Sequence, residues 1–94
     1  MATTAIIEKR VNEKFAIGFS YNSPDLAAGE TISTVTTTVT TGLTKEGSPI
    51  HPAGTNEVSQ VVSGGTVGTD YNVVFLVTTS AGYIFEDVYI VKVV

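Results

Sequence analysis

Large apolar and small or polar residues alternate along much of this chain. Phe15, Ile17, Phe19 and Tyr21 are separated by Lys14, Ala16, Gly18 and Ser20, which sets the four large side chains on one face of a strand over residues 13–21. Tyr71, Val73, Phe75 and Val77 repeat the spacing against Asn72, Val74, Leu76 and Thr78, and this is the clearest strand in the sequence. A last strand over residues 83–94 sets Tyr89, Val91 and Val93 against Val88, Ile90 and Lys92. Two weaker strands complete the pattern. Residues 31–41 turn Val35, Thr37 and Val39 inward and Thr34, Thr36, Thr38 and Thr40 outward, and residues 56–62 turn Val58 and Val62 inward.

Between these runs lie breakers. Asn22-Ser23-Pro24-Asp25 ends the first strand, because proline removes a donor and the others favour turns. Residues 26–30 have room for one helical turn. Residues 42–55 hold Gly42, Gly47, Pro49, Pro52 and Gly54 and read as connection, anchored by Leu43 and Ile50. Ser63-Gly64-Gly65-Thr66 reads as a turn, and Ser80-Ala81-Gly82 as a three-residue hairpin loop. Residues 1–12 carry Ile6, Ile7 and Val11 among charges with no clean period, as an N-terminal arm or an edge strand.

Composition narrows the fold class. Threonine (15) and valine (14) together make up nearly a third of the 94 residues, and such β-branched side chains suit a pleated sheet. No segment keeps a helical period over three turns. The expectation is an all-β chain, an Ig-like antiparallel β-sandwich over residues 13–94 preceded by the arm. Tyr71 sharpens it. It opens its strand straight after Gly-Gly-Thr-Val-Gly-Thr-Asp, where Ig-like sandwiches carry a structural tyrosine corner, although the Cys pair of antibody domains is missing.

Charge and chemistry exclude more than they suggest. Net charge is −4, and the five basic residues include only one adjacent pair, Lys9-Arg10, so no nucleic-acid partner is expected. No apolar run approaches the ~20 residues that span a bilayer, and the first ten residues lack the pattern of a secretory signal. No membrane partner is therefore expected. Without Cys there is no disulfide or thiolate site. His51 stands alone in Pro49-Ile50-His51-Pro52, an exposed loop residue without a second ligand at metal spacing. Glu86 and Asp87 are adjacent on a strand, so they point to opposite faces and read as a solvated strand start. No catalytic residues, metal or cofactor are expected, and the chain reads as no enzyme.

The apolar surplus is more informative. With Tyr89, Val91 and Val93 inward, Val88 and Ile90 face outward with Ile84 nearby, and Val74 and Leu76 lie opposite the Val73, Phe75 and Val77 face. One small core cannot hold both sets. Either the N-terminal segment covers the second set or a partner subunit does, and the partner is the stronger expectation. The proposed interface is Ile6, Ile7, Ile84, Phe85, Val88 and Ile90.

Three blocks carry a family resemblance. Leu26-Ala27-Ala28-Gly29-Glu30-Thr31-Ile32-Ser33, Val39-Thr40-Thr41-Gly42-Leu43-Thr44 and the run from Ser63-Gly64-Gly65-Thr66 through Tyr71 to the hairpin resemble a family of small tailed-phage virion proteins. These are fibre–tail adaptors with an Ig-like fold. Tyr21 and Thr37 stand where that family often has Trp. The resemblance implies a non-enzymatic virion structural protein, a tail or fibre adaptor or head–tail component, assembled in the host cytoplasm. Its partners would be other virion proteins and copies of itself, in an oligomer or virion lattice. Two alternatives stand beside it: a capsid decoration protein, or an Ig-like module binding a cell-surface glycan or protein, with Tyr83 and Phe85 as the aromatic pair.

Overall fold

Two β-sheets face each other across one core. The computed structural model describes residues 3–21, 29–52 and 54–94. Seven strands lie among them: β1 (Thr4–Lys9), β2 (Lys14–Ser20), β3 (Ile32–Val39), β4 (Leu43–Ile50), β5 (Glu57–Gly64), β6 (Asp70–Thr79) and β7 (Ile84–Val93). The first sheet has the order β1-β7-β6-β3 and the second β2-β5-β4. Setting β7-β6-β3 against β2-β5-β4 gives the two facing triplets of an Ig-like sandwich. The departure is β1. It joins β7, in the one parallel pairing among these strands, and leaves the β2 edge unoccupied by it.

The alternations of the sequence become the core. Val62, Val73, Phe75, Val77 and Val91 are fully buried, with Ile17, Tyr21, Ile32, Leu43, Val58, Tyr71 and Val93 around them. Phe19 meets Phe75 edge-on at 5.3 Å between ring centroids, and the Tyr21 ring stacks on Phe85 at 5.8 Å. Each side chain so buried stabilises the fold by about 1.5–3 kcal/mol relative to exposure. Among the described residues no helix is long and apolar enough to cross a membrane.

Residues 42–55 differ from expectation, because β4 runs through most of them. Its register with β5 shifts between Glu46 and Ile50, and Gly47 and Pro49 sit inside that irregularity. Proline costs least at a bulge or an edge, and β4 is both bulged and an edge strand. Gln60 of β5, fully buried, donates from Nε2 to the carbonyls of Glu46 (3.3 Å) and Gly47 (3.1 Å), and its Oε1 accepts from Thr37 Oγ1 at 2.6 Å. The bulge is thus satisfied from inside the sandwich. Residues 22–28, which span the expected break and the start of the expected helical turn, lie outside the described residues.

Tyr71 closes one end of the core. Its hydroxyl accepts from the backbone N–H of Thr66, five residues upstream, at 2.9 Å. The ring lies against Gly42 (φ +111°) and Gly65 (φ +97°), and a Cβ at Gly42 would come within 2.8 Å of the ring. Hydrogen bonding to Thr66 draws the phenol below its ordinary 10.0, with burial opposing. At neutral pH the group is protonated in folded and unfolded chains alike, so this shift affects stability only in alkali. Tyr71→Phe keeps the ring and loses the clasp. Thr66 is exposed and its N–H can turn to water, so the expected loss is about 0.5–1.5 kcal/mol, read from the urea midpoint.

Candidate contact face

The outward side of the four-stranded sheet is built by the alternate residues of four strands. Across β3, β6, β7 and β1 the register places Thr38, Val74, Val88 and Thr4 in one row. A second row runs Asn72, Ile90, Ile6, and a third Thr36, Leu76, Glu86. The result is an apolar patch at its centre, bordered by the threonines of β3. Ile6 (62% exposed), Ile84 (63%) and Leu76 (40%) stand into solvent, while Val74, Val88 and Ile90 are half-buried by one another.

From Thr3 onward the N-terminal segment does not cover this patch. It lies beside β7 as a sheet edge and extends the face by adding Ile6 next to Ile90. Two buried charged side chains hold it there. At one end Asp87, 1% exposed, accepts the Thr3 N–H on Oδ1 at 2.8 Å and the Tyr21 hydroxyl on Oδ2. At the other end Lys9, with no exposed surface, donates from Nζ to the carbonyls of Gly64 (2.7 Å), Arg10 (2.8 Å) and Val11 (3.3 Å). These anchors stand roughly 20 Å apart, at ~3.3 Å per strand residue. Each ties the first sheet to the second, through β2's end or β5's.

Four of the six expected interface residues lie on this face: Ile6, Ile84, Val88 and Ile90. Ile7 and Phe85 do not. Both have the opposite parity and pack on the core, Phe85 against the Tyr21 ring. That placement also separates Phe85 from Tyr83, which stands 64% exposed at the hairpin, so the two form no joint aromatic platform. Asp87 departs from the expected solvated strand start, because its side chain points into the sandwich. Had the inward parity of Tyr89, Val91 and Val93 been carried two steps back along β7, it would have found both Asp87 and Phe85.

His51 is half-buried rather than exposed, with Nε2 2.9 Å from the Thr55 carbonyl, where it holds the β4–β5 connection in shape. Lys9, Gln60, Thr37 and Asp87 are the buried polar residues that matter most, and each is spent on structural hydrogen bonds. What the described surface offers is therefore an exposed apolar face on the β1-β7-β6-β3 sheet.

Residues 9–92 match the family described as podophage GP4 fiber-tail adaptor protein gp77. The chain belongs to this family. As a fibre–tail adaptor it is a structural phage protein of the tail, with other virion proteins as its contacts. The matched stretch takes in Val88 and Ile90 of the face, and it begins at Lys9, after Ile6. No curated protein matches the chain.

Proposed function

We propose that this adaptor protein works without catalysis, by contact with its neighbours in the virion, and that the outward face of the β1-β7-β6-β3 sheet docks on an adjoining virion protein. Membership of the adaptor family supports the setting. The observation that carries the choice of surface is the cluster of Ile6, Leu76 and Ile84, each at least 40% exposed, around half-buried Val88 and Ile90. Contiguous apolar patches of this kind are uncommon on monomers and mark contact surfaces. A net charge of −4 with scattered basic residues argues against nucleic acid as the partner. The absence of cysteine leaves nothing that needs oxidation, which suits assembly in the host cytoplasm.

The test uses the two most exposed members. In Ile6→Ser with Ile84→Ser, folding stability should change by less than about 1 kcal/mol, since both side chains already face water. Retention of the protein in purified tails should fall at least tenfold. Undiminished incorporation of a folded double variant would remove the face from the account.

A further inference from the structure

Sheet edges attract other strands, and a sandwich must pair, cover or obstruct them. The flank formed by β3 and β4 is obstructed. Lys45 reaches across the β3 edge, with Nζ donating to the Thr37 carbonyl at 2.9 Å. β4 carries the irregularity with Pro49, and Gln60 occupies the carbonyls of Glu46 and Gly47. The opposite flank is different. Among the described residues β2 pairs with β5 alone, because β1 has gone to β7.

The direction of the free backbone groups follows from the ladder. Tyr21 N–H donates to the Asn56 carbonyl at 2.8 Å, and the register continues from Ser20–Glu57 to Lys14–Ser63. In an antiparallel ladder alternate residues turn both backbone groups toward the partner strand. Phe15, Ile17 and Phe19 therefore serve β5, while Lys14, Ala16, Gly18 and Ser20 turn theirs to the open side. Their side chains lie on the outer face, and three of the four are too small to hinder an approaching strand.

We infer that β2 pairs antiparallel, edge to edge, with β2 of a second copy of this chain across a two-fold axis. Full overlap of Lys14–Ser20 sets Lys14 opposite Ser20 of the other copy and Ala16 opposite Gly18, so every edge-facing residue meets another. Charge complementarity selects a second copy as the occupant. Ser20 neighbours Glu57 in its own sheet. Lys14 of one copy thus lies one small side chain away from Glu57 of the other, and symmetry makes the contact twice. The present partner of Lys14 is a weak one, Glu46 at 3.9 Å with both side chains well exposed. This contact uses a different surface from the proposed docking face, so one copy can make both.

Seven paired residues bury less than the ~1,200 Å² of a stable interface, so self-association should be weak and concentration-dependent. Sedimentation of the full chain from micromolar to millimolar concentration should show a dimer. Lys14→Glu and Glu57→Lys should each weaken it at least tenfold, and the double exchange should restore it. Ala16→Pro removes an N–H that faces the open edge and spares the β2–β5 ladder. That variant should be folded by circular dichroism and monomeric. A monomer at all concentrations, or a dimer indifferent to Lys14→Glu, would overturn the pairing. So would a dimer lost in the Ile6→Ser, Ile84→Ser variant but kept in Lys14→Glu, which would assign self-association to the docking face.

Discussion

Lys9→Ala is expected to lower the unfolding free energy by about 3–5 kcal/mol, the largest effect of any single polar substitution in the molecule. The side chain has no exposed surface, and its ammonium is held by the carbonyls of Gly64, Arg10 and Val11. Truncation opens a cavity as long as the side chain and strips three carbonyls of their donor. Those carbonyls belong to the β1–β2 connection and to the end of β5, so the loss is felt in both sheets. Lys9→Met separates the two contributions. It keeps the volume and removes only the hydrogen bonds, for an expected cost of about 1–3 kcal/mol. Urea unfolding of the two variants measures both. A change below about 1 kcal/mol in Lys9→Ala would mean that the β1–β2 connection rearranges freely, which contradicts an anchoring role.

Asp87→Ala should cost about 2–4 kcal/mol for related reasons at the other end of β1. The carboxylate accepts one bond from the Thr3 N–H, at the partly exposed start of β1, and one from the Tyr21 hydroxyl in the buried interior. Hydrogen bonds to a charged acceptor are worth about 1.5–3 kcal/mol, and removing the acceptor weakens the hold on two strands together. Asp87→Asn keeps the size and one acceptor oxygen, so about half of the loss should return. Amide exchange adds a local readout. In Asp87→Ala the amides of β1 should exchange faster than those of β6, because β1 is an edge strand that can detach before the sandwich opens.

These two anchors were the least legible parts of the sequence, and for different reasons. The core strands announce themselves through alternation: β2, β6 and the later half of β7 could be drawn from Phe15, Ile17 and Phe19, from Val73, Phe75 and Val77, and from Tyr89, Val91 and Val93. Asp87 shares the inward parity of the β7 run, and Gln60 that of Val58 and Val62 on β5. A charged or amide side chain on an inward position reads as an interruption unless its hydrogen-bond partners are known, and those come from distant strands. Lys9 had no parity to follow, since residues 1–12 show no period. Its burial depends on carbonyls that converge only after β1 joins β7. β4 was hidden by Gly47 and Pro49, residues that punctuate most chains and are tolerated here because the strand is bulged, lies at an edge and is satisfied by Gln60.

The face itself was half legible. Surplus valine and isoleucine on β6 and β7 pointed to burial outside the core, and Ile84, Val88 and Ile90 do share one surface with Ile6. Ile7 and Phe85 have the opposite parity on β1 and β7 and pack on the core, a distinction that rests on register and is lost where the alternation is unclear. The described part of the N-terminal segment adds width to the face, setting Ile6 beside Ile90.

The most direct measurement is hydroxyl-radical footprinting of the protein free in solution and assembled in purified tails, followed at Ile6, Leu76 and Ile84. In the free protein all three should be oxidised readily, given their exposure. On assembly their modification should fall together, several-fold, as the face is covered. Equal modification of Ile6 and Ile84 in free and assembled protein would contradict docking through this sheet.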